Sequence, residues 1–178
     1  DLAVALLKVL SVFRQSFSKD AALEVGRKGG GEGLTVLRGE LALKLLVRYA
    51  FITACSGEVF DLESRKLDAG TRYIMHEAVR EEVRRLDSLE WSRAEVSMHE
   101  ASHSWYFGRL LTAAIESQDF PKLFRVFTQE RTNLREGMSY CGSNYFRSNL
   151  NNLAGVPRHC LDLLDRGTAE KALVREIE

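Results

Sequence analysis

Five consecutive residues, His99-Glu100-Ala101-Ser102-His103, concentrate the side chains most able to do chemistry. On a helix, residues four apart share a face, so both imidazoles could bind one zinc ion while Glu100 takes a proton from metal-bound water. This makes the chain a candidate zinc-dependent hydrolase, with Glu100 as catalytic base and His99 and His103 as metal ligands. At 100° per residue, Val96, His99, Glu100, His103, Phe107, Leu110, Leu111 and Ala114 fall within about 60° of one direction. The cluster therefore sits on the apolar face, where a carboxylate is costly unless paired or bound. A satisfied buried pair between Glu100 and a histidine is the structural reading of the same residues.

Two helices must position this cluster. One is expected from Ser92, as N-cap with Glu95 three residues on, to about Gln118. Another is expected over Thr71 to Glu90. If the two form an antiparallel hairpin turning near Trp91, His76 and His103 come within one helical turn of the same height. His76, His99 and His103 then form a candidate three-histidine site. The five residues His99 to His103 resemble the active helix of zinc metallopeptidases, and the resemblance covers only them. Ser102 is less apolar than that family's pattern, and no H-E-x-x-H-x-x-G-x-x-H extension follows. Glu116, Asp119, Glu130 and His159 do not stand at a family spacing for a third ligand. Glu100-x-x-His103 also has the spacing of carboxylate-bridged di-iron bundles, but the second E-x-x-H they need is missing.

A second constellation is electrostatic. The 178 residues hold 25 Lys and Arg against 25 Asp and Glu, a net charge of zero. The neutrality is a cancellation: residues 1–57 carry +3, 58–100 carry −4, 101–158 carry +3 and the last twenty −2. The second positive block holds Lys122, Arg125, Arg131, Arg135 and Arg147, interleaved with Tyr140, Tyr145 and several phenylalanines. Cations that pair phosphates beside aromatics that stack bases suit a single-stranded nucleic acid, RNA included, or an acidic protein. Phe120, Phe124 and Phe127 have helical spacing and read as core. Trp105 points away from the buried face of its helix, near Met98 and Arg109, and is a candidate partner anchor. The Arg27-Lys28-Gly29-Gly30-Gly31 stretch could cradle a phosphate but matches no known phosphate loop, and reads as a connection.

The rest of the chain supplies scaffolding. Apolar residues make up 45% and charged residues 28%, which excludes a disordered chain and a uniformly basic binder. No apolar run is long enough to span a membrane. Cys55, Cys141 and Cys160 are odd in number and widely spaced, so a reducing, intracellular compartment is expected. The chain reads as one domain, 1–178, and, opening on Asp1, it is expected to be a fragment of a longer chain. Only two prolines occur, Pro121 and Pro157, and apolar residues at three- and four-residue spacing make helices dominate. Leu2 to Phe17 carries one apolar stripe, and Gly26 to Gly33 is too glycine-rich for a regular element. Thr35 to Cys55 is apolar nearly all round, as a central helix is. Gly57 to Gly70 reads as a connection, and Asp119 caps a short helix. Residues 136–152 read as loop, and a last helical stretch follows Pro157. The expected fold is an all-α, irregular bundle of about five to seven helices around that central helix. The expected function is a binding or assembly module with a polarised basic-aromatic surface, acting through a protein partner or self-association, with the zinc hydrolase as alternative.

Overall fold

The structure is a computed structural model that describes residues 2–29, 34–90 and 93–140. Among these are α1 (Leu2–Leu10), β1 (Phe17–Ser18), α2 (Lys19–Lys28), α3 (Val36–Arg48), β2 (Ile52–Phe60), β3 (Leu67–Met75), α4 (Glu77–Glu90), α5 (Arg93–Glu116) and α6 (Phe120–Tyr140). A three-stranded antiparallel sheet of order β1-β3-β2 accompanies the helices, so the fold is mixed α/β. The expectation of an all-α bundle is overturned by that sheet.

Local chemistry explains where the helices stop. The Ser18 hydroxyl accepts from the Ala21 amide and caps α2, which places Arg27 and Lys28 inside a helix rather than in a glycine-rich loop. Thr35 caps α3 in the same way through the Arg38 amide. The end of α3 is the main departure from the expected topology. Tyr49 closes the helix, the Ala50 amide bonds the Val47 carbonyl, and the Phe51 amide reaches back to Leu46 at 2.9 Å. Ala50 lies in the left-handed region, φ 59°. This is a Schellman stop with alanine in the place glycine usually takes. The chain leaves it as β2, so the continuous helix expected to Cys55 ends seven residues earlier, at Arg48.

Strands β2 and β3 pair from Ile52↔Met75 to Phe60↔Leu67. The stretch read as a connection is thus a hairpin, and residues 71–75, expected to open a helix, are strand. The alternation that reveals a strand is missing because Arg72 occupies a buried position of β3. Its side chain crosses β2 at Gly57, where a Cβ would lie 2.7 Å from the Arg72 Cδ. The guanidinium donates to the Ser16 and Glu58 carbonyls and the Ser16 hydroxyl, and pairs with buried Glu130 of α6. Asn133 joins them, donating to Glu130 and Ser16 while accepting from the Arg14 and Gln15 amides. One buried polar network thereby ties sheet, α6 and the link after α1 together.

The core lies between α1, α2, α5 and α6, where Leu10, Phe13, Phe17, Phe107, Leu111 and Phe127 are fully or almost fully buried. The helix expected to be central, α3, packs along α1 and leaves Leu37, Leu41 and Leu45 at 68%, 52% and 41% exposure. Asp119 caps α6, accepting from the Lys122 amide at 3.0 Å. The helix runs on through residues 136–140, which were expected in a loop. Residues 141–178, including the expected last helix, Cys141, Cys160 and His159, lie outside the described residues. Among the described residues no helix is long and apolar enough to cross a membrane.

Candidate functional site

Helix α5 carries the His-Glu cluster on its buried face, as its periodicity requires. His103 is fully buried. The rings of Phe13, Phe107 and Tyr140 enclose it, with centroids at 5.0, 4.5 and 5.6 Å. Neither ring nitrogen has a hydrogen-bond partner among the described residues. Burial, reinforced by the nearby Arg84 guanidinium, pushes the imidazole down to about 3, so it is neutral at physiological pH.

His99, one turn earlier, faces a different neighbour. It is 6% exposed and lies against the C-terminal end of α2, where any Cβ on Gly29 would collide with its Nδ1 and Cε1. Gly29 is required there for close approach, since its φ of −78° suits any residue.

Glu100 is half-buried. Burial raises its carboxyl above the ordinary range, Glu136 adds to the rise, and Arg84 opposes it. Around it lies a polar latch. Arg84 donates to the Ser11 carbonyl and to the Tyr140 hydroxyl, both at 3.2 Å. That hydroxyl donates to the Val12 carbonyl. Arg14 lies 3.7 Å from Glu136 and 3.6 Å from Glu77. These contacts satisfy the Ser11 and Val12 carbonyls just past the end of α1 and join that link to α4 and α6.

The third expected ligand lies elsewhere. His76 is exposed, in the single residue between β3 and α4, and its carbonyl accepts from the Arg80 amide. It stands on no helix, so the hairpin that was to bring it level with His103 does not exist in that form. Of the other candidates, Glu116 pairs with Arg65, Asp119 caps α6 and Glu130 holds Arg72. Among the described residues no group of three His, Cys, Asp or Glu is arranged to hold a metal ion. Among the described residues His103 is enclosed by three aromatic rings, His99 faces Gly29, and His76 stands apart from both.

The basic segment is dispersed along α6. Lys122 pairs with Asp119 at 3.3 Å and Arg125 with Glu58 at 3.1 Å. Arg131 and Arg135 are half-buried, and Tyr140 is held by Arg84. Phe127 is buried while Phe124 is 42% exposed. Tyr145 and Arg147 lie outside the described residues. Trp105 is half-buried, with the Lys28 Nζ 3.4 Å above its ring centroid and the Arg109 Cζ at 4.8 Å. The structure thus brings the Arg27-Lys28 segment to Trp105, a contact that sequence spacing does not reveal.

The surface that sequence reasoning missed is on α3. At 100° per residue, Leu37, Leu41 and Leu45 lie within about 60° of one direction together with Arg38, Lys44 and Arg48. All six are exposed. A groove of about 310 Å³ lined by Leu2, Ala3, Arg38, Leu41, Ala42 and Leu45 runs between this face and the start of α1. The signal was present in the sequence, since the three cations share a face with the leucines, whereas a central helix would not place charges there. Comparison with protein-family models, curated proteins and solved structures finds no match for this chain.

Proposed function

We propose that this chain is a protein-interaction module that receives an acidic, amphipathic helix of a partner on the face formed by α3 and the start of α1. The observation that carries the reading is the exposure of Leu37, Leu41 and Leu45 beside a groove. Leucines spaced four apart, with a furrow next to them, suit a helix whose own apolar residues recur at the same spacing. Contiguous exposed apolar surface of this kind marks interaction sites. The charge on the face selects the partner's sign. Arg38, Lys44 and Arg48 surround the leucines, while the neighbouring acidic residue, Glu40, bonds Lys19 at 2.8 Å. A partner helix with glutamates flanking its apolar stripe gains from steering and from rim pairing.

The test uses a synthetic helical peptide with leucines at i, i+3, i+4 and i+7 and glutamates elsewhere, titrated by fluorescence anisotropy. Binding is expected to weaken with salt and to fall about ten-fold or more in Leu41→Lys. Because Leu41 is half exposed, its melting temperature should stay near that of the unmodified chain. Oligouridine and anionic vesicles are titrated in parallel. Tighter binding to either, or peptide binding indifferent to Leu41→Lys, overturns the reading.

A further inference from the structure

The outer edge of β2 carries a second inference, independent of the α3 face. Parity along the hairpin follows from one contact: the Asp61 amide donates to the Lys66 carbonyl at 2.9 Å. The pair 61/66 continues the register of the strands, so it is a hydrogen-bonded pair, and bonded pairs recur at every second residue. Thr53, Cys55, Gly57 and Val59 therefore bond β3. Ile52, Ala54, Ser56 and Glu58 turn their N–H and C=O groups away from it. The Glu58 carbonyl agrees with this parity, since it accepts from the Arg72 and Gln129 side chains rather than from a backbone amide of β3.

That outward row is covered at both ends, since Ile52 is buried at 2% exposure. Residues of β3 and α6 occupy the Glu58 carbonyl, and Arg125 pairs with the Glu58 carboxylate. Between those ends, among the described residues, nothing is hydrogen-bonded to the outward groups of Ala54 or Ser56. Thr53, Ala54 and Ser56 are exposed, so both faces of the strand are open there. The usual protections of an edge, a lysine, a proline or a bulge, are missing from Ile52 to Gly57.

We propose that this edge pairs with the same edge of a second copy of the chain, antiparallel and about a two-fold axis at Cys55. The open outward groups belong to Ala54 and Ser56, with Cys55 at their midpoint, so symmetric pairing uses all of them: Ala54 of each copy opposite Ser56 of the other, and Cys55 opposite Cys55. The segment carries no charge, so two copies meet without like-charge repulsion, and Glu58 falls opposite the apolar Ile52 of the second copy. The α3 face has the opposite property, since its cations would repel their own copies. Exposed Tyr49, Phe51 and Ile74 flank the edge and supply apolar area beyond the backbone bonds. The product is a six-stranded sheet with an isologous interface.

In this register Cys55 of one copy lies opposite Cys55 of the other in a non-hydrogen-bonded pair. There the Cα separation is about 4.5 Å, within the range a disulfide bridges. The experiment therefore uses the chain with Cys141→Ser and Cys160→Ser, which keeps Cys55, in a glutathione redox buffer. A covalent dimer on a non-reducing gel is expected through Cys55, and at least ten-fold less when Cys55→Ser is combined with the hairpin-turn control Arg65→Cys. Sedimentation of the unmodified chain should show a concentration-dependent dimer. Ala54→Pro, which removes an outward amide while leaving the β3 ladder its bonds, should shift that equilibrium to monomer. A monomer at all concentrations, or equal crosslinking by Arg65→Cys, overturns the proposal. So does a dimer lost in Leu41→Lys, which would place the contact on α3; a dimer that persists in that variant while peptide binding is lost keeps the two surfaces separate.

Discussion

His103 shows how burial rather than a partner sets a side chain's chemistry. Its folded-state value, about 3, lies below the ordinary value of 6.5 because charging it would place a cation among Phe13, Phe107 and Tyr140, beside Arg84. The unfolded chain therefore binds a proton near pH 6.5 that the folded chain refuses until about pH 3. Stability from this residue is fully present above pH 6.5 and is lost as pH falls toward 3. Each pH unit in that window costs about 1.4 kcal/mol. Between pH 7 and 5 the unfolding free energy should fall by about 2 kcal/mol more in the native chain than in His103→Leu, as read from urea titrations. Equal losses in both would show that His103 is charged or solvated in the folded state. Glu100 acts in the other direction: its raised carboxyl favours folding at low pH, and that contribution fades as pH rises.

The Arg72–Glu130 pair belongs to the same scale. Both side chains are almost fully buried, and Asn133 and Ser16 complete their hydrogen bonds. Removing one partner leaves an uncompensated buried charge, which costs about 3–5 kcal/mol. Glu130→Ala should therefore lose several kcal/mol by chemical denaturation. Arg125→Ala, which breaks an exposed pair with Glu58, should lose less than about 1 kcal/mol. Similar losses for the two would contradict the network.

Among the elements, the stop of α3 decides the most. An alanine in the left-handed region costs about 1–2 kcal/mol, and here the Schellman bonds to Leu46 and Val47 hold it. Ala50→Gly removes the strain, while the extra freedom of glycine in the unfolded chain offsets part of the gain. Thermal unfolding should show a net stabilisation of about 0.5–1 kcal/mol. Destabilisation would mean that the turn does not adopt this conformation. The same element explains why the sequence was misread. Residues 49–55 are apolar except for Thr53 and adjoin an apolar helix, and no glycine or proline separates them, so helical periodicity continues in the sequence where the backbone has turned into β2. The buried face of α5, by contrast, was legible, because its apolar residues and His103 follow one helical direction. The cap at Asp119 was legible too, since its side-chain contact is local.

At the scale of the whole molecule, the sequence by itself determined what is local: the caps of α6, the amphipathic direction of α5, the cancellation of charge between segments, and the lack of a long apolar run. Such features depend on residues within a turn or two of each other. Tertiary structure alone decided what depends on distant partners. Arg72 became a buried strand residue because Glu130, 58 positions away in sequence, meets its charge. His76 left the His-Glu cluster because β3, paired with β2, occupies the residues before it. The leucines of α3 became surface because the core closed between α1, α2, α5 and α6 without them. Helical periodicity fixes which side chains share a face; only the packing of the other elements fixes whether that face is covered.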